Sequence, residues 1–482
     1  MSLTLVKNTS LYTVGNILPQ VAGFLLLPVY TRYLTPKDYG IVSSMQVLMA
    51  ITAVIFTLAM ERSLYRLYWD CKTEQEKQEY LGTVAVALIL IALIELGIIF
   101  VSRRWIGRIF VTIDFYPFYA YAILAMFFSV FSHIPKIHLQ LEQRAGSFVF
   151  LSLIQFAVTT GLVLWFVVVR KSGAEGMLLG RMLGPAVLAG IFIYLTAQRI
   201  RFCFKPRILK ETLAYSIPLV PTMLCAWILN LSDRIFIERY FSLEDVGIYS
   251  LGYKLGEIVL LISGGFGMAY NPIYFELANS PDQESARNRL FQYNNRFLMV
   301  VLLISFGICL FAKEAVVLFL DPRYEKAYQI VPFIVLAYFI QEVSHLLNLS
   351  IYQEKRTKMV MSIQMAGALM NIGMNFLLVP AFGAFGAAYA TVLSFAGIFV
   401  LKYWYAKRCY FIPFKWRQLL CCIALLTGVV AAQYAIDINL YYLFALKLML
   451  VLTVLAVFAR RHYDTVLMIF AGAGKGVSRA GS

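Results

Sequence analysis

The sequence predicts an all-α polytopic membrane protein of about 14 transmembrane helices. Three observations carry this: apolar residues reach 61% while charged residues fall to 14%, mean hydropathy is +0.74, and the apolar residues come in blocks of roughly 20, enough to cross about 30 Å of hydrocarbon at about 1.5 Å per residue. Soluble chains are near a quarter charged. Lipid offers a free backbone N–H or C=O no partner, so such blocks are helices or barrel strands. Runs such as Val84-Ala-Val-Ala-Leu-Ile-Leu-Ile-Ala-Leu-Ile do not alternate as barrel strands must.

The first six spans are expected at 11–32, 40–60, 81–101, 115–135, 147–168 and 174–195, and the next six at 213–237, 246–274, 297–318, 327–352, 359–380 and 384–405. A last pair covers 419–435 and 440–458. The first span, with Lys7 ahead of it and no small-residue cleavage site, reads as a retained helix and not a signal peptide.

The net charge of +16 sits in short segments between spans, which fits the positive-inside rule and not nucleic-acid binding. With the N-terminus cytoplasmic, inner segments hold roughly 27 Lys and Arg against about 12 outside. Arg199, Arg201, Lys205, Arg207 and Lys210 lead the asymmetry; Arg103, Arg104 and Arg108 oppose it. An even number of spans puts both termini in the cytoplasm, in a bacterial plasma (inner) membrane. The seven cysteines lack metal-ligand spacing, and no disulfide framework, metal or cofactor is expected. Loops of at most about 25 residues leave no room for a catalytic domain, so a transporter is expected and not an enzyme.

The chain is written twice. Tyr33-Leu-Thr-Pro-Lys-Asp-Tyr-Gly-Ile-Val-Ser43 aligns with Tyr240-Phe-Ser-Leu-Glu-Asp-Val-Gly-Ile-Tyr-Ser250; Gly173-Ala-Glu-Gly176 aligns with Gly383-Ala-Phe-Gly386; Glu142-Gln-Arg144 matches Glu354-Lys-Arg356. Nearly one offset relates all three, and six spans per copy make the repeats parallel. The expected organisation is an N-terminal six-helix bundle (1–200), a C-terminal one (208–408), an additional helix pair (415–472) and a cytoplasmic tail (473–482), with a pseudo-two-fold along the membrane normal. Thr35 to Asp38 and Ser242 to Asp245 read as helix caps.

With Asp233-Arg234 ahead of Asp245-Val-Gly-Ile-Tyr-Ser250, and Asn371-Ile-Gly-Met-Asn375 leading through Pro380 to Gly383-Ala-Phe-Gly-Ala-Ala-Tyr-Ala-Thr391, the sequence resembles the polysaccharide transporter family. That family holds the O-antigen and lipid-linked oligosaccharide flippases of the multidrug/oligosaccharidyl-lipid/polysaccharide superfamily. The resemblance implies translocation of a polyprenyl-diphosphate-linked oligosaccharide from the cytoplasmic to the outer leaflet by alternating access, for lipopolysaccharide or other surface polysaccharide. Polysaccharide polymerase machinery is a candidate partner. A multidrug exporter of the same superfamily is the alternative; cationic drugs favour acidic residues, and the first span has none.

Intramembrane charges are costly, so each needs a reason. Asp233 lies about 9 Å inside the outer end of the seventh span and Lys254 about 12 Å inside the eighth, depths that suit a bridge. Arg234 with Glu238, and Lys254 with Glu257, have pairing spacing on one helix. These groups either tie helices together or form a charged cavity wall. Arg181 has no acidic neighbour on its own helix face, and its planar fork suits a diphosphate; the plainer reading is a carbonyl or a carboxylate on another helix. Glu342 and His345 are candidate titrating groups for ion coupling, on a stripe with Gln341 and Asn348; Gln364, Asn371 and Asn375 form a second stripe. Pro19 and Pro28, with Pro218 and Pro221, break equivalent spans of the two copies, and broken helices in corresponding positions point to a binding site. Asn16 and Gln20, near the first break, are candidates to face the cavity.

Overall fold

Helix-capping chemistry and a few obligatory glycines set the architecture of the computed structural model, which describes residue 15, residues 17–417 and six further positions between 420 and 449. The short helix α1 (Leu27–Tyr33) starts after a break at Leu26, with Pro28 in its first turn. Among the described residues ten helical stretches are long and apolar enough to cross a membrane: α2 (Pro36–Thr57), α3 (Glu74–Val101), α4 (Phe115–Leu141), α5 (Ala145–Val169), α6 (Gly173–Ala197), α7 (Pro206–Leu231), α8 (Leu243–Gly267), α9 (Gln283–Phe319), α10 (Val331–Gln353) and α11 (Thr357–Ala406). Residues 11–14 and Asn16 of the expected first span lie outside the described residues, as does most of the thirteenth and fourteenth.

The 50-residue α11 is two limbs, not one rod. Gly383 breaks the helix at φ 58°, ψ −134°, a left-handed backbone that favours glycine. The chain then folds back: a Cβ on Gly386 would lie 2.2 Å from the Leu378 carbonyl oxygen, and one on Gly367 would meet the Ile398 side chain at the same distance. The limbs coincide with the expected eleventh and twelfth spans. Gly173, its repeat counterpart, also has positive φ, 56°, and starts α6.

The repeated Thr/Ser-to-Asp segments cap helices. Thr35 Oγ1 accepts from the Asp38 N–H at 3.1 Å while Asp38 Oδ2 accepts from the Thr35 N–H at 3.0 Å, a reciprocal box. Asp38 Oδ1 also accepts from the Ala174 N–H at 3.3 Å, so one carboxylate serves the starts of α2 and α6. In the second copy Ser242 Oγ accepts from the Asp245 N–H at 3.2 Å. Each such cap contributes about 1 kcal/mol.

Helix starts depart from the apolar runs where caps lie in polar sequence. α3 begins at Glu74 under a Thr73 box, not at 81, and α9 begins at Gln283 under Asp282, not at 297. Apolar length therefore locates the membrane-embedded part and the cap locates the end. Helix α7 runs through a 3₁₀ turn at Ile217–Leu219, which contains Pro218, and after Ser232 gives way to a helix over Asp233–Tyr240.

Buried apolar side chains form one cluster from Tyr30 through Leu243 and another from Cys225 through Phe414. Helix α7 contributes to both: Ile208, Leu209 and Leu213 pack on the first, while Cys225 and Leu229 belong to the second. On the perimeter Ile94, Phe150, Val187 and Phe376 stay 61–65% exposed, as side chains facing hydrocarbon do. The end at which α2 and α8 begin is called the outer end below, following the charge asymmetry of the sequence.

Candidate substrate cavity

Helices α1, α2, α4, α5, α6 and α8 surround a cavity of about 580 Å³, reached also by Gly15, Pro19 and Gly23. Among the described residues three cationic side chains line it, Lys136 from α4, Arg181 from α6 and Lys254 from α8, and no described lining residue is a carboxylate. Ser43, Gln46, Ser152, Gln155, Thr159 and Thr160 add hydroxyls and amides, and Tyr30 and Tyr39 flank the outer part. Gln155 Oε1 accepts from the Lys136 ammonium. Lys254 pairs with Glu257 at 2.7 Å, as its spacing predicts, and lies 4.8 Å from the Phe24 ring centre. Among the described residues no carboxylate comes within bridging distance of Arg181. An unpaired guanidinium in a cavity of this size, within the range of ordinary ligand pockets, suits phosphate oxygens.

The cavity is closed toward the outer end by the repeat motif itself. Gly40 of α2 and Gly247 of α8, equivalent in the two copies, face each other's helix: a Cβ on Gly40 would lie 1.8 Å from the Leu243 carbonyl oxygen, and one on Gly247 would lie 2.0 Å from that of Pro36. Only glycine allows this approach. The segment after α9 buckles over the seam. Arg323 donates to the Thr31 and Arg32 carbonyls at 3.3 and 3.2 Å, Tyr324 donates to the Leu34 carbonyl at 3.1 Å, and Arg323 is held by Asp321 at 2.7 Å. That ion pair keeps the Asp321 carboxyl below its usual range. The Thr112 N–H and hydroxyl both donate to Glu238 Oε1, at 2.6 and 2.5 Å, a further tie across the two copies.

The expected Asp233–Lys254 bridge does not form. Asp233, 0% exposed, accepts from the Tyr249 hydroxyl and from Thr391 Oγ1 at 3.4 Å, and turns away from the cavity toward α11. Arg234 donates to the Asn230 carbonyl at 2.6 Å and lies 4.3 Å from the Tyr253 ring centre. With Glu238 on Thr112, the expected Arg234–Glu238 pair is likewise absent. Matching depths had suggested the bridge, but depth fixes position along a helix and not direction around it.

Beside Asp233, Asn371 Oδ1 accepts from Ser232 Oγ at 3.2 Å and Asn375 Nδ2 at 3.1 Å. No hydrogen bond among the described residues reaches Asp233 Oδ1 or Asn375 Oδ1. These oxygens are the donor type a hard cation takes, although the described residues contain no cluster of three His, Cys, Asp or Glu side chains that could hold a metal.

Glu342 and His345 line a separate pocket of about 100 Å³ with Gln341, Ser344, Asn348, Gln364 and the buried Lys402. Gln20 is exposed and is not among the cavity-lining residues, whereas its neighbour Pro19 is. Lys136 lies one residue past the expected fourth span (115–135) and was not among the residues expected at the site. Helical continuation was visible in Ile134, Ile137 and Leu141, all buried, at spacings of three and four.

The polysaccharide biosynthesis protein family matches residues 29–329. A Haemophilus influenzae protein of the Lsg locus is 24% identical over 281 residues, 56% of this chain and 66% of that protein, so the match spans just under two thirds of that relative. A Haloferax volcanii protein named as a probable low-salt glycan biosynthesis flippase, Agl15, is 21% identical over 409 residues, 84% of each chain. The structure of the lipid II flippase MurJ in an inward closed conformation matches with a TM-score of 0.73 at 14% identity, over 95% of this chain and 99% of that one. An inward-facing multidrug resistance MATE family transporter of the MOP superfamily matches at 0.62 and 13% identity, over 84% and 98%. At these identities the two structures establish likeness of fold. With the family match spanning more than half of the sequence and the fold agreeing, this multi-pass membrane protein belongs to the polysaccharide biosynthesis protein family.

Proposed function

We propose that the protein moves a polyprenyl-diphosphate-linked oligosaccharide from the cytoplasmic to the outer leaflet of a bacterial plasma membrane by alternating access. The observation that carries this reading is the cavity lined by Lys136, Arg181 and Lys254 with no carboxylate among its described lining residues. A diphosphate is the part of such a substrate that must leave water, and a guanidinium fork in a low-dielectric site binds its oxygens bidentately. The hydroxyl and amide groups on α2 and α5 match sugar hydroxyls, while the polyprenyl tail stays in lipid.

In this reading 1–200 and 208–408 are the two six-helix bundles that rock about the cavity, with the 415–472 pair outside the repeat. The outer closure at Gly40 and Gly247 makes this an outer-closed state, and loading occurs from the cytoplasmic side. Lys254 exchanges its partner Glu257 for phosphate on loading. Glu342 and His345 are the proposed ion-coupling groups, and Asp233 and Arg234 serve the rigidity of the second bundle instead of touching substrate. The fold of the MATE transporter accommodates drug export equally well, but a cationic cavity repels cationic drugs.

Arg181→Ala tests the reading in cells. The variant is expected to insert normally, lose surface polysaccharide and accumulate the lipid-linked intermediate in the inner leaflet. Normal polysaccharide would remove the phosphate contact, and drug sensitivity without accumulation would favour the exporter.

A further inference from the structure

A second groove, of about 390 Å³, lies on the other side of the helices that wall the cavity, at the end opposite the outer closure. Its floor is apolar, built by Leu81, Ile134, Leu151 and Leu195, with Phe150 forming a wall that is 65% exposed. Its rim carries Arg144, in the turn between α4 and α5, and Arg199, two residues past the end of α6. These positions place two guanidiniums at the level of lipid headgroups, above a floor at the level of acyl chains.

Both guanidiniums share one carboxylate, that of Glu142, in ion pairs too long to be hydrogen bonds. Arg144 and Arg199 approach Glu142 at 3.6 and 3.9 Å, beyond hydrogen-bond length, and His138 shares that carboxylate at 3.6 Å. The second copy supplies an internal comparison. Arg356, the repeat counterpart of Arg144, donates to the Tyr405 hydroxyl at 2.9 Å. At the offset of 210 that relates Gly173 to Gly383, the position matching Tyr405 is Leu195. The first copy thus has a short apolar side chain where the second has a phenol that occupies the arginine, and Leu195 itself lines the groove.

We propose that this groove binds an anionic glycerophospholipid of the adjacent leaflet, its phosphate between Arg144 and Arg199 and one acyl chain along Leu195 and Phe150. The site is separate from the substrate cavity: Ile134 and Leu151 face the groove while Lys136 and Gln155 of the same helices face the cavity. Bound lipid braces α4 and α5 against α6.

The test is a titration of the full-length purified protein in detergent with dioleoylphosphatidylglycerol, read by native mass spectrometry, with dioleoylphosphatidylcholine as the neutral control. The double variant Arg144→Gln/Arg199→Gln is expected to weaken phosphatidylglycerol binding about 30-fold, each arginine near an anionic surface being worth about 1 kcal/mol. Leu195→Tyr, which copies the second repeat, is expected to weaken it comparably with both arginines in place. Both variants are expected to melt as the wild type does without lipid. Equal binding by the wild type and both variants, or no preference over phosphatidylcholine, would overturn the proposal. So would undecaprenyl diphosphate displacing phosphatidylglycerol from the groove at equal concentration, which would assign it to the substrate's own lipid.

Discussion

Adding one methyl group at Gly40 puts the outer closure to a direct test. An Ala Cβ there would lie 1.8 Å from the Leu243 carbonyl oxygen and 2.8 Å from its carbonyl carbon, whereas ordinary contact begins at 3.4 Å. Both partners are backbone, so no side chain can swing aside and the helices must separate by about 1.5 Å, in an interior packed as densely as a crystal. Overpacking of this kind costs about 1–3 kcal/mol, here only in the state where α2 touches α8. At about 1.4 kcal/mol per tenfold, Gly40→Ala should shift the balance away from the outer-closed state by roughly 5- to 150-fold. Ser43, buried on the cavity wall, is the reporter. In cells, Ser43→Cys is expected to resist a membrane-impermeant thiol reagent added outside. Combined with Gly40→Ala it should label rapidly at unchanged protein level. Equal labelling with and without Gly40→Ala would refute the packing argument.

Three further outcomes follow from the same geometry. Lys136→Ala is expected to lower surface polysaccharide and raise the inner-leaflet intermediate, with Lys136→Arg retaining most function; a neutral Lys136→Ala would remove it from the cavity's work. The Asp321 carboxyl, held low by Arg323, contributes its stabilisation above the usual carboxylate range and loses it as pH falls through the lowered native value; thermal melts of the purified protein should therefore show a smaller acid-induced loss in Asp321→Asn than in wild type. Lys447 and Glu314, 4% and 2% exposed, pair at 2.5 Å; Lys447→Met alone should destabilise by about 3–5 kcal/mol, and adding Glu314→Gln should recover most of the melting temperature.

Much of the fold was legible because lipid enforces it. Apolar runs located the described spans, and Thr35 with Asp38, and Ser242 with Asp245, showed their capping chemistry at fixed spacing. Pro28 and Pro218 marked breaks that the helices do show. Gly173 and Gly383 were visible as repeats, and positive φ explains why both are glycine. Facing was not legible. Gly40 and Gly247 were read only as parts of a helix-start motif, because nothing local reveals that two helix backbones touch. The Asp233–Lys254 pairing failed for a related reason: depth along a span carries no information about direction around it. Lys136 was missed because a polar helix end looks like a loop when hydropathy alone sets the boundary. Within the cavity, Arg181 was found by its lack of a carboxylate, a signal that the sequence does carry.

The central claim is tested most directly by reconstitution. Purified protein in liposomes, supplied with a fluorescent polyprenyl-diphosphate oligosaccharide in one leaflet, should carry the glycan to the other, and Arg181→Ala should reduce the rate at least tenfold, the scale of one lost charged contact of about 1.5–3 kcal/mol. Failure to move the glycan while a cationic drug is moved, with the same protein active in both preparations, would contradict the account.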